Sequence, residues 1–250
     1  MSTPPRESKT TETPSAAEAA NAAQPGDTAD LAETADWTEP ADWTEPAQSM
    51  ESAHDAASAR PLLFLDVDGP LNPYAAKPTQ RPPGYATHRM RPASWLESQP
   101  PLRRWAANRA RSLRVWLNPA HGPALLRLPF DLVWATTWQH EANEWIGPVI
   151  GLPELPVVTW PPPSARRERM DGLYWKTRPL AEYAAGRPFA WVDDLLTSAD
   201  RHWCAEYHPA PTLLLPIDPA RGLGEGDFAA LTRWAELRRR VASPTDSADN

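Results

Sequence analysis

Two carboxylates standing two residues apart open the chemistry of this chain. The apolar run PLLFLDV (61–67) continues into DGPLNP, so Asp66 and Asp68 close a strand-like segment. Alternate residues of an extended chain project to the same side, which aims both carboxylates one way. Gly69 follows at once and permits a tight reversal. Further along, DLVWATT (131–137) ends in Thr136 and Thr137, and FAWVDD (189–194) ends in Asp193 and Asp194. Lys176 stands just ahead of the helical pattern RPLAEYAAG (178–186). Carboxylates this close repel one another unless a proton or a cation holds them, so a hard divalent metal is the natural occupant. Magnesium takes one or two carboxylates, keeps waters and lets a substrate phosphate complete its shell. Lys176 is also one of only three lysines among 25 basic residues. In a chain that otherwise uses arginine, a lone lysine points to a need for the compact ammonium.

These residues fall at element ends. Short apolar runs recur at 61–67, 131–137, 155–160, 189–194 and 211–217, each with the look of a strand buried on both faces. Helical patterns lie between them at 122–128, 141–152, 178–186 and 199–208, and a last helix is expected over 225–242. Strands alternating with helices predict an α/β fold, a parallel sheet with flanking helices and right-handed crossovers. Chemistry in such sheets gathers at the carboxyl ends of the strands. The stretch 72–118 breaks the alternation: Gly84–Met90 and Ser112–Asn118 read as a β-hairpin around a Pro-rich, Trp-bearing loop. It is expected to be a small flap inserted after the first strand and standing beside Asp66.

The order of these signals resembles the haloacid dehalogenase-like (HAD) superfamily of hydrolases. An apolar strand runs into DVDG, a second strand ends in threonine, a lysine follows, and a later strand ends in paired acids; the resemblance covers about 61–217. It implies a Rossmann-like sheet with the first and fourth strands adjacent at its centre. It also implies roles. Asp66 would be the nucleophile that forms an aspartyl-phosphate, and Asp68 the general acid–base, its backbone carbonyl also binding Mg2+. Thr136 would hydrogen-bond a transferring phosphoryl oxygen, and Lys176 would offset charge there and keep Asp66 ionised. Asp193 and Asp194 would complete the metal site, with Asp194 favoured as the direct ligand. The implied activity is magnesium-dependent hydrolysis of a phosphate ester. The sequence departs from the family pattern in two places: Pro70 stands where Thr or Val commonly follows DxDG, and Thr137 and Trp138 follow Thr136 where Asn, Gly or Ser is common. Neither removes a catalytic group, but Trp138 is placed close to the pocket.

Composition bounds the rest. The chain has 250 residues, one cysteine, 31 prolines and 13 tryptophans, with net charge −7. One cysteine excludes a disulfide-stapled scaffold or a multi-cysteine zinc site. No apolar run reaches the ~18 residues of a membrane span, and MSTPPRESKT lacks a signal-peptide core, so a cytoplasmic protein is expected. A pI near 5.4 argues against a general nucleic-acid-binding surface. The acidity is local: residues 1–60 carry three basic and twelve acidic side chains, whereas the remaining 190 are close to neutral. That leader, 1–58, repeats ADWTEP at 35–40 and 41–46 and has too few large apolar residues to offset chain entropy, so disorder is expected there and in the tail 243–250. Trp37 and Trp43 are its two candidates for docking on a partner. The catalytic domain is then 59–242. HEANE (140–144) has no zinc-helix spacing and reads as a solvated face, and Arg166, Arg167 and Arg169 as solvated charge.

Two other classes compete with a phosphatase. A receiver-like phospho-acceptor domain carries its acid pair on the first strand and its lysine last, an order this chain does not follow. A catalytically inactive HAD-like binding module acting through its acidic leader is the remaining alternative. The expected partner is a phosphorylated substrate, either a small molecule or an exposed phosphate on a macromolecule. The flap is too short for a full lid domain, which keeps large phosphate-bearing substrates in play.

Overall fold

The computed structural model describes residues 60–99, 112–160 and 172–242. The leader with Trp37 and Trp43, the arginines at 166, 167 and 169, and the tail 243–250 lie outside the described residues. In chain order the elements are β1 (Leu62–Leu65), β2 (Ala86–Met90), α1 (Ala93–Ser98), β3 (Leu113–Leu117), α2 (His121–Leu126) and β4 (Asp131–Trp134). A π-helical turn (Ala142–Ile146) runs into α3 (Gly147–Ile150), followed by α4 (Thr177–Ala184), β5 (Phe189–Asp193), α5 (Ser198–Tyr207), β6 (Thr212–Pro216) and α6 (Glu225–Ala242).

All four residues of β1, LLFL, are buried. A strand apolar on both faces needs cover on both, and the fold supplies it. The sheet order is β4-β1-β5-β6, every pair parallel. On one face Leu63, Leu65, Trp134 and Val192 pack with Leu125, Ile146, Ile150 and Leu231. On the other, Leu62, Phe64, Phe189 and Trp191 pack with Leu180, Ala184 and Cys204. Burying each such large side chain stabilises by about 1.5–3 kcal/mol before chain entropy is counted. The architecture is the expected α/β, Rossmann-like one. The chain steps from β1 out to β4, then crosses back to β5 and on to β6. Its direction therefore reverses between β1 and β5, and a crevice opens at their carboxyl ends.

The helix ends are locally encoded. Thr197 caps α5 in a reciprocal capping box with Asp200. Glu225 and Asp227 begin α6 and Arg239 and Arg240 end it, which suits the helix dipole. The hairpin is β2 paired antiparallel with β3, as the sequence suggests, with α1 inserted after β2.

Three expectations are corrected. The run 155–160 is not a strand of its own; only Val157 bridges to Trp134, in parallel. Pro156 lacks an amide hydrogen and ends the ladder after one step. The helix expected over 141–152 changes register midway. A π-helical turn ends just before Pro148, whose ring would clash with a carbonyl four residues back in a continuous α-helix. The segment 140–144 is solvated only in part: His140 and Glu144 are exposed, but Ala142 is buried, and Asn143 Oδ1 accepts from Trp134 Nε1 at 2.7 Å and from the Leu155 amide at 3.0 Å. That asparagine ties β4 to the bridging segment. Among the described residues no helix is long and apolar enough to cross a membrane.

Candidate active site at the β1–β5 crevice

The ladder delivers Asp66 and Asp193 side by side. The amide of Asp66 donates to Val192 O at 3.2 Å, extending the β1–β5 pairing past the end of β1. The chain then turns back on itself. The Leu71 and Asn72 amides both donate to Val67 O, and the Gly69 amide donates to Asn72 O. Gly69 has φ +89°, and a Cβ there would lie 2.7 Å from Cβ of Asp194. Only glycine fits this reversal, because both the backbone angle and the neighbouring acid exclude a side chain.

Lys176 closes the cluster from below. It precedes α4, is 1% exposed, and its Nζ donates to Asp66 Oδ2 at 2.9 Å and to Asp193 Oδ2 at 2.8 Å. The rings of Tyr174, Trp175 and Trp160 surround the ammonium at 5.5–5.9 Å. Burial opposes its charge, but Asp193 and Asp66 outweigh burial and hold its pKa well above the ordinary lysine value. Burial raises the pKa of Asp66 in turn, against the pull of Lys176. Asp193 is pushed up to about 6 by burial, again with Lys176 opposing.

Asp68 lies across the turn, 7% exposed. Its Oδ1 accepts from Asn72 Nδ2 at 2.8 Å and its Oδ2 from Trp138 Nε1 at 2.9 Å. Burial again raises its pKa, with both hydrogen bonds acting against the rise. Thr136 is fully buried just past β4, and its side chain acts to lower the pKa of Asp66 against burial. Its own carbonyl is fixed by Trp160 Nε1 at 2.8 Å. Thr137 is more accessible than Thr136. Asp194, half-buried, accepts from the Tyr74 hydroxyl at 2.8 Å.

The structure thus brings Asp66, Asp68, Thr136, Lys176, Asp193 and Asp194 to one crevice. Four carboxylates face one ammonium there, and burial raises the pKa of each carboxylate. Asp66, Asp193 and Asp194 each offer an oxygen within 4.8 Å of the others. An all-oxygen donor set with surplus negative charge fits a hard divalent cation. The carboxylate of Asp68 lies outside this trio. Asp193 has both oxygens engaged, by Lys176 and by the Leu195 amide, so Asp194 is the more available of the adjacent acids.

Several supporting residues carry no motif of their own. Asn72 spans from Asp68 to the hairpin, its Oδ1 accepting from the Trp116 amide at 3.0 Å. Tyr74 holds Asp194. Asp200, fully buried, does the most. Its Oδ1 accepts from the Tyr174 amide at 2.8 Å and from Thr177 Oγ1 at 2.6 Å, on both sides of Lys176. Its Oδ2 accepts from the amide and hydroxyl of Thr197, in the loop that follows Asp193 and Asp194. Asp200 therefore joins the lysine turn to the acid turn. The Thr-x-x-Asp capping signature at 197–200 is readable from sequence, but its second set of partners is not.

Comparison with known proteins leaves the interpretation to this geometry: no protein-family model matches the chain, no curated protein matches it, and no solved structure matches it.

Proposed function

We propose that this protein is a magnesium-dependent phosphatase of the HAD-like type, acting through an aspartyl-phosphate on Asp66. One observation carries the reading: a buried lysine bridges the last residue of the β1 ladder to the end of β5, with a second aspartate across a glycine turn. Lys176 favours the ionised form of Asp66 against the cost of burial, and the ionised form is what a nucleophilic carboxylate requires. An oxygen of Asp66 forms a bond to phosphorus as the bond to the ester oxygen breaks. Asp68, whose raised pKa favours holding a proton, gives that proton to the leaving alcohol. It then takes a proton from the water that attacks phosphorus, releasing inorganic phosphate and restoring Asp66. Thr136 and Lys176 donate to the transferring oxygens, and Trp138 and Asn72 aim the Asp68 carboxyl. Magnesium held by Asp66, Asp194 and the Asp68 carbonyl would supply charge neutralisation at the phosphoryl group. A cytoplasmic setting belongs to the same reading.

The test is hydrolysis of an aryl phosphate by the full chain with magnesium, with EDTA, and with Asp66→Asn. Turnover that depends on magnesium and falls to background in Asp66→Asn is expected. Activity that survives chelation, or survives Asp66→Asn, removes the mechanism. A properly folded wild-type protein inert on every phosphate ester tried would favour a binding module instead.

A further inference from the structure

The outer face of the β2–β3 hairpin carries charge that the proposed chemistry does not use. Side chains of a strand pair alternate between faces. Met90, Val115 and Leu117 point into the main core, so Thr87 and Arg89 of β2 share the opposite face with Arg114 and Trp116 of β3. Arg89 pairs directly with Arg114 in the antiparallel register. Like charges directly opposite destabilise a strand pair. Arg81, from the loop before β2, lines the same groove, which measures about 500 Å³ and has no acidic residue in its walls. Among the described residues, no acidic side chain pairs with any of these three guanidiniums.

The groove is also partly ordered in advance. The Arg114 guanidinium lies 4.2 Å over the Trp116 ring, a contact that restrains it. Thr87 Oγ1 accepts from Arg81 Nη1 at 3.0 Å and from Trp116 Nε1 at 2.9 Å. Two of the three arginines therefore lose little freedom on binding an anion. Trp116, which lines the groove, is also the residue whose amide is joined through Asn72 to Asp68. Asn72 thus ties the strand that carries the groove to the turn that carries Asp68.

We propose that this groove holds a second phosphate group of the substrate, so that the preferred substrates are bisphosphorylated small molecules. The proposal rests on the phosphatase reading for the identity of the bound molecule, though not for the binding of the anion. Guanidinium forks match phosphate oxygens bidentately. Three of them converging on one groove suit a single dianionic group. A nucleic-acid strand would instead ask for a stripe of basic residues tracking its backbone, and this chain is acidic overall.

The test has two arms, both on the full chain. In the first, inorganic pyrophosphate is titrated in EDTA into wild type, Arg89→Gln/Arg114→Gln and Arg81→Gln, with thermal melts confirming the fold of each. Affinity falling about tenfold or more in the double variant, and several-fold in Arg81→Gln, is expected. In the second, kcat/KM with magnesium is compared for an alkanediol bisphosphate and an alkyl monophosphate. The ratio of bisphosphate to monophosphate should fall about tenfold in the double variant. Equal affinity across the variants overturns the groove. An unchanged ratio overturns the second-phosphate assignment, as does tighter binding of an oligonucleotide lacking terminal phosphates than of the bisphosphate. Loss of all turnover in wild type with the binding result intact would defeat the phosphatase reading and leave the anion site standing.

Discussion

The β1–β5 crevice and the outer face of the hairpin both concentrate charge, with opposite sign and opposite physical treatment. In the crevice, Lys176, Asp66 and Asp193 are almost wholly withdrawn from water, and each is hydrogen-bonded to another. On the hairpin, Arg81 and Arg89 stand exposed, and Arg114 is braced only by an indole ring. A buried charge is costly unless it is paired, and each of these three is held by two hydrogen bonds. A surface charge costs little and stays free to meet a ligand. Rigidity for the proposed reacting groups and availability for the proposed anion contact thus fall to two different sheets, the four-stranded one and the two-stranded hairpin.

That contrast predicts unequal responses to charge removal. Lys176→Met should abolish turnover and lower unfolding stability by about 3–5 kcal/mol, because it leaves Asp66 and Asp193 buried without a counter-charge. Arg89→Gln/Arg114→Gln should change stability by no more than about 0.5 kcal/mol per site, with relief of like-charge opposition acting in the stabilising direction. Urea titrations of both variants make the comparison. Similar losses in the two would mean that the hairpin arginines are structural.

His121 sharpens the rule from another side, since it is buried and, among the described residues, has no charged partner. It packs edge-on against Tyr85 and beside Phe228, and burial lowers its pKa to about 4. Below the ordinary value of 6.5 the unfolded chain therefore binds a proton that the folded chain refuses. The stabilising contribution is complete above that value and is lost as pH falls towards 4, about 3 kcal/mol in all. Unfolding midpoints measured from pH 7 to 4 should drop in wild type and flatten in His121→Phe. A slope that His121→Phe leaves intact would assign the acid sensitivity to other groups.

Asp200, a positioning residue, is expected to fall between these extremes in its effect on stability. Asp200→Ala strands the Tyr174 and Thr197 amides and two threonine hydroxyls, which costs about 1–3 kcal/mol. It should also move Lys176 away from Asp66 and Asp193. Their carboxyl pKa values would then rise, shifting the acid limb of the kcat/KM profile to higher pH. A loss of stability with an unmoved pH profile would reduce Asp200 to a helix cap.

The local, short-range features were legible in the residues themselves. Continuous apolar runs such as LLFL can be satisfied only by cover on both faces, so the parallel sheet and the placing of Asp66, Thr136 and Asp193 at its carboxyl edge follow from pattern. The need for glycine at 69 follows from a turn that no other residue can make. The hairpin's alternation and the capping box at 197–200 are equally local. What the pattern misjudged depends on backbone groups meeting distant partners. Pro156 and Pro148 interrupted elements that periodicity alone continues, and Asn143 became a strand tie through contacts with Trp134 and Leu155. The partners of Asp68, Asp194 and Lys176 lie 4 to 120 residues away in sequence. Asn72, Tyr74, Trp138 and Asp200 have ordinary side chains whose roles arise only when burial removes water as the competing hydrogen-bond partner. The meeting of Arg89 with Arg114 likewise required a strand register, which is set by packing Val115 and Leu117 against the core and by no property of the arginines themselves.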